Sequence, residues 1–157
     1  MSGRDFVAAR NIGGASRGAI VAAARAWIGT PYEHQASLIH VGCDCLGLVR
    51  GVWREVIGPE PEEAPPYTPD WAEARETETL LFAAQRHFRA IRIDEFREGD
   101  VLLFRFRDHL PAKHLGVATS ATHMVHAHDG ACVTEVAIGA HWRKRLAGAF
   151  AFPGVTN

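Results

Sequence analysis

The sequence predicts an α+β fold, with helices first and an antiparallel β-meander after them. Two observations carry this. Between Ser16 and Phe88 apolar residues recur at helical spacing, and from Ile91 onward the repeat shortens to two residues, in short runs separated by turn signals. The 157 residues suit one compact unit, and no internal repeat or low-complexity tract divides them, so a single domain over 1–157 with a core at about 16–152 is expected.

Ser16 is placed to cap a helix over 17–28, with Ile20, Ala23, Ala24 and Trp27 on one face and Gly29 as its stop. Thr30-Pro31 ends that helix, and Tyr32 to Gly42 follows neither period and reads as a loop. Residues 45–57 form a second helix, with Leu46, Val49, Val52, Trp53 and Val56 on one side and Gly58-Pro59 beyond its end. Glu60 to Pro69 holds four prolines and three glutamates and reads as an exposed, extended connection. A third helix follows, with Asp70 as its cap, Glu73 as the partner of that cap, and Trp71, Leu80, Leu81, Ala84 and Phe88 as its apolar contacts. The strands expected after the Gly99-Asp100 turn are 101–106, 114–119, 124–128, 132–136 and 146–152.

With 17 Lys+Arg against 18 Asp+Glu the formal charge is -1, so the broad basic field needed to hold a phosphate backbone is missing and no nucleic-acid partner is expected. The first apolar run, 19–24, lacks the flank and cleavage site of a signal peptide and is too short to span a bilayer. The protein is therefore expected to be made in the cytoplasm without a signal peptide and without membrane insertion. Three cysteines are too few and odd in number for a disulfide framework, which leaves reduced thiols as the expectation.

Cys45 falls where the loop ends and the second helix begins. Unpaired N–H groups and the positive dipole end at that place favour a thiolate and can receive a developing oxyanion, although a small buried hydrophobe also fits there. Five of the nine histidines, His109, His114, His123, His126 and His128, crowd into one stretch. His114 opens a strand beside Lys113 and Gly116, and with Cys45 it makes a nucleophile-and-base pair. His126 has the same parity and shares a face with His114 if the turn between their strands has odd length, which would let it hold the imidazole. His126 and His128 also share parity, so a metal site with Cys45 or His114 is an alternative, against which stands the lack of a Cys-x-x-Cys or His-Glu-x-x-His pattern. His34, His40, His87 and His141 read as solvated or structural, and Cys132 as a core residue of its strand.

The order Gly29-Thr30-Pro31-Tyr32, Asp44-Cys45-Leu46-Gly47-Leu48-Val49, Gly99-Asp100-Val101, His114-Leu115-Gly116-Val117 and Met124-Val125-His126-Ala127 resembles that of the NlpC-type papain-like cell-wall peptidases. The stretch from Gly42 to Trp53 is similar to the branch of that family encoded with phage and phage-like tail genes. The resemblance implies a papain-like core and a cysteine endopeptidase that cuts the peptide stem of peptidoglycan, in the family typically between D-glutamate and a diamino acid such as diaminopimelate. It implies Cys45 as nucleophile, His114 as base and His126 as orienting group, with Tyr32 and Asp44 near substrate or oxyanion. Asp44 also has the position of a helix cap. Glu33-His34-Gln35-Ala36 stands where relatives often carry a Trp-Gly-Gly run, and Leu46 replaces a common serine.

No cofactor or resident metal is expected from this reading. The implied partners are the peptidoglycan stem peptide and the tip or hub proteins of a phage-like tail, which would carry the chain to the target wall. A rival reading makes the chain a tail-tip structural component with weak or no peptidase activity, touching its partners through Glu60 to Pro69 and the first fourteen residues.

Overall fold

A computed structural model describes residues 14–63 and 78–156. Helix α1 spans Arg17–Arg25, and the Ser16 hydroxyl caps it by accepting from the Ala19 N–H at 3.0 Å. It stops short of Ile28 because residues 26–29 form a turn that closes on Gly29 at φ +91°, a left-handed conformation open to glycine. Helix α2 spans Cys45–Val56, one residue short of the expected end, and buries Leu48, Val49, Val52 and Trp53. The turn that follows α1 meets α2 at Gly51, where a Cβ would lie 2.0 Å from the Trp27 ring.

The loop expected between them contains a hairpin, β1 (Ser37–Leu38) with β2 (Gly42–Cys43), turned at His40 with φ +65°. Strands of two residues carry no readable period, so the sequence does not announce them. Asp70, Trp71 and Glu73, and the connection beyond residue 63, lie outside the described residues. Helix α3 spans Thr79–His87 and buries Leu80 and Ala84. Phe88, just past its end, meets Trp53 and Phe152 edge-on at 5.4 and 5.0 Å between ring centroids.

The remaining strands are β3 (Arg89–Ile91), β4 (Val101–Phe104), β5 (His114–Ala118), β6 (His123–His126), β7 (Thr134–Ala137) and β8 (Leu146–Ala151). They form one antiparallel sheet in the order β3-β8-β4-β5-β6-β7. The meander from β4 to β7 is as expected, but the last strand returns to lie between β3 and β4. Both faces of the middle of the sheet are covered. Val101, Leu103, Leu115, Val117 and Val125 pack against α1 and α2, while Leu102, Phe104, Ala118 and Met124 pack beneath Phe96, Ile138 and Trp142. This explains why Val101 to Phe104 is an unbroken apolar run, each residue of which is buried. No described helix is long and apolar enough to cross a membrane.

Cys132 is exposed, contrary to the expected core position, because β7 starts only at Thr134 and Cys132 lies before it, bridged to Pro31. A short helix, α4 (Ala140–Arg143), precedes β8; its four residues are too few to show a helical period in the sequence. Arg17 and Asp100 form a buried ion pair at 2.8 Å that ties the start of α1 to the turn before β4. Arg17 also donates to the Glu98 carbonyl, and the second Asp100 oxygen accepts from the Arg97 N–H at 2.9 Å.

Candidate active site

Cys45 is the first residue of α2, and the geometry that puts it there is built on Asp44. The Asp44 carboxylate is buried; Oδ1 accepts from the Gly47 N–H at 2.7 Å and Oδ2 from the Gln35 N–H at 2.8 Å. One oxygen thus caps the helix and the other pins the preceding loop, with His34 Nδ1 3.9 Å away. Both oxygens are turned into the protein, which makes Asp44 a support for Cys45. Gly47 is needed beneath it, since a Cβ there would lie 1.9 Å from the Ala36 carbonyl oxygen.

The Cys45 thiol lies at the rim of the sheet, where Sγ donates to the Lys113 carbonyl at 3.8 Å. This contact sets it beside the backbone of the residue before His114, and the hydrogen bond goes to that carbonyl rather than to the imidazole. Burial pushes the thiol up to about 12, with the Asp44 charge adding to the rise, while the backbone N–H groups of Leu115, Leu46 and Cys45 pull the other way. The dipole end of the helix alone would favour a thiolate, but burial outweighs it. Alkylation of Cys45 by iodoacetamide is therefore expected to be slow at pH 7 and to climb steadily beyond pH 9. A plateau below pH 7 would mean a preformed thiolate instead.

His114 and His126 are each only 5% exposed, and His114 Nε2 lies 2.9 Å from His126 Nδ1. The register explains the meeting. Gly116 pairs with His126 and Ala118 with Met124, leaving the odd interval 119–123 between the strands, so the two rings project from one face. With Nε2 engaged by His126, Nδ1 is the ring nitrogen left to exchange a proton. Gly116 opens the space between the rings, since a Cβ there would meet Met124 Sδ at 2.8 Å and His126 Cβ at 3.5 Å. His128 is exposed, with its ring 5.7 Å from His114 and 5.8 Å from His126. Among the described residues no group of three or more His, Cys, Asp or Glu is disposed to hold a metal ion.

Burial drives His114 well below the ordinary 6.5, and the charges of His126, His128 and Lys113 add to the effect. Burial first, then His128, lowers His126 to about 4. Both rings are neutral at pH 7, as a base and its acceptor need to be. The depressed values also set a direction for stability: below pH 6.5 the unfolded chain takes up protons that the folded chain refuses, so stability falls from about pH 6.5 down through about pH 4. For His126 the loss is about 3 kcal/mol at 1.36 kcal/mol per pKa unit. Urea midpoints measured between pH 7 and 4 should show it, and His126→Gln should flatten the slope; an unchanged slope would exclude His126 as its source.

Tyr32 reaches the site through a parallel bridge to Cys43, two residues before the nucleophile candidate. Burial, followed by the charges of Cys45, Asp44, Asp129 and Cys43, pushes its hydroxyl up to about 12, so it stays protonated and able to donate. The structure adds one residue that the sequence did not flag. Trp142 of α4 lies against His114 with ring centroids 5.3 Å apart and planes 25° from parallel. Its only sequence signal is an aromatic residue in a basic run, which says nothing about where it packs.

A cysteine at a helix start, set at the end of a strand that carries a histidine bonded to a second histidine, is the arrangement of a papain-like cysteine peptidase. The profile of the NlpC/P60 family matches residues 29–151, and the chain belongs to that family, whose members are cysteine peptidases acting on peptidoglycan. Solved structures agree in fold. The NlpC/p60 domain of the peptidoglycan hydrolase SagA superposes with a TM-score of 0.62 at 22% identity, over 87% of this chain and 99% of that one. An NlpC/P60 family protein from Bacillus cereus gives 0.66 at 16% identity, over 91% of this chain and 42% of that one. NlpC1 from Trichomonas vaginalis gives 0.60 at 17% identity, over 90% and 45%. The chain thus spans less than half the length of these last two. No curated protein matches it in sequence.

Proposed function

We propose that this chain is a cysteine endopeptidase that hydrolyses the peptide stem of bacterial peptidoglycan at the bond between D-glutamate and a diamino acid, acting as part of a phage-like tail. The observation that carries the chemistry is the His114–His126 hydrogen bond at 2.9 Å beside the helix-start thiol of Cys45. His114 takes the thiol proton at Nδ1 as sulfur attacks the amide carbon, and His126 holds the ring through Nε2. The Cys45 N–H and the Tyr32 hydroxyl receive the oxyanion. The tetrahedral adduct collapses to a thioester, and the amine leaves with the proton from His114. Water, deprotonated by His114, then attacks the thioester, which frees the acid and restores the thiol. Because thiol and imidazole both rest neutral, the proton moves during attack and no ion pair waits beforehand.

The tail assignment is supported by the likeness of residues 42–53 to the tail-encoded branch, and delivery by a tail would bring a protein made in the cytoplasm to the wall. The test is turnover of diaminopimelate-type muropeptides, with products weighed by mass spectrometry. Two fragments that separate at D-glutamate, lost in Cys45→Ala, are expected. Equal cleavage by Cys45→Ala would refute the chemistry, and cleavage at another bond would refute the specificity. Failure to co-purify with the hub proteins of the corresponding tail would refute the assembly.

A further inference from the structure

We propose that Trp142 is a positioning residue for the histidine pair, a wall whose indole fixes the plane of the His114 imidazole and its angle to His126. The inference rests on the reading of His114 as the base. One indole touches both rings in different ways: it stacks on His114, at 5.3 Å and 25°, and meets His126 edge-on, at 5.2 Å and 84°. The two imidazoles are themselves nearly perpendicular, at 81°, so the three rings form a corner in which rotating either histidine about its Cβ–Cγ bond drives it into the indole. Imidazole χ2 is otherwise a broad torsion, and one hydrogen bond between two rings leaves it loosely set.

The indole is itself held. Phe104 backs it edge-on at 5.0 Å, from the strand position paired with His114. The turn that carries it is fastened by Arg143, whose Nε donates to the Ile138 carbonyl at 3.0 Å and whose Nη2 donates to the Ala121 carbonyl at 2.9 Å. Ala121 lies in the connection from β5 to β6, between the two histidines in sequence, so the segment that places the indole is anchored to the turn that sets their register. This is the support that a catalytic geometry requires if it is to persist between turnovers. The indole also covers the ring that burial keeps neutral. The other titratable groups acting on His114 are His126 and His128 from β6 and its extension and Lys113 just before its own strand, with His141 on the far side of the indole.

The test uses the full chain and the variants Trp142→Ala, Trp142→Leu and Trp142→Phe, read by steady-state cleavage of muropeptides and by nitrogen chemical shifts of His114 across pH. Trp142→Ala is expected to lower kcat about 10²-fold, the scale of a misplaced catalytic group, with little change in KM. It should also raise the His114 titration towards 6.5, move the acid limb of kcat/KM with it, and replace a single tautomer by a mixture. Trp142→Leu keeps apolar bulk without a flat face and serves if the alanine variant does not fold; it should show the same tautomer mixing. Trp142→Phe should restore most of both readouts. A fall in kcat with the tautomer and titration unmoved would overturn the proposal, as would unchanged values throughout. The nitrogen shifts need no substrate, so an inactive wild-type chain with a His114 tautomer that still depends on Trp142 would fault the peptidase reading and leave the positioning intact.

Discussion

His114→Ala is expected to reduce kcat/KM by about 10⁴ while the chain still melts cooperatively near the wild-type temperature. The size follows from the resting thiol. With Cys45 pushed up to about 12 by burial, the thiol rests protonated at pH 7, so the nucleophile depends on a base to remove its proton during attack. In the proposed chemistry the imidazole of His114 supplies that base; the Asp44 carboxylate acts on the sulfur only through its charge, which raises the thiol further, because its oxygens are held by the Gly47 and Gln35 N–H groups. His126→Ala removes the partner of Nε2 and leaves the base itself in place, so a smaller loss of about 10² is expected, the cost of a ring free to turn. The two effects should not add in the double variant, because orientation has no value without the base. Initial rates on muropeptide beside circular-dichroism melts decide it. If His114→Ala stays within about tenfold of the parent, the base lies elsewhere.

The residues of this site were legible because each stands at a point where the local pattern changes. Cys45 marks the start of a helical repeat, and its Asp44 cap and the Gly58-Pro59 stop frame that helix to within a residue. The His114–His126 meeting follows from parity once the turn is known to hold an odd interval. Other features were hidden for reasons that can be named. The β1–β2 hairpin and β3 are too short to establish a period. The place of β8 between β3 and β4 depends on which strands pair, and an apolar run does not state its neighbours. Cys132 belongs to an apolar run that begins before β7 does, and exposure of a strand's approach has no compositional mark. The support given by Trp142 is purely tertiary: its partners lie on β4, β5 and β6.

Asp100→Leu is expected to be among the most destabilising single changes away from the site, at about 3–5 kcal/mol, the range for removing one partner of a buried ion pair. Both partners are nearly without solvent, and the Arg17 guanidinium has its Nη1 bonds on Asp100 Oδ1 at 2.8 Å and on the Glu98 carbonyl at 3.0 Å. Removing the carboxylate leaves a buried cation without the charge that balances it, and it also strips the Arg97 N–H of its acceptor. For a chain of this length the loss corresponds to a fall in Tm of roughly 10 °C. Arg17→Met in the same chain should recover much of it, since an apolar pair avoids the desolvation that the ion pair had to offset. Cys45 and His114 are untouched by either change, so activity measured well below the lowered Tm should remain near the parent's. Calorimetric scans of the two single variants and the double variant form the cycle. Additive losses in that cycle would mean that Arg17 and Asp100 stabilise the fold independently of each other.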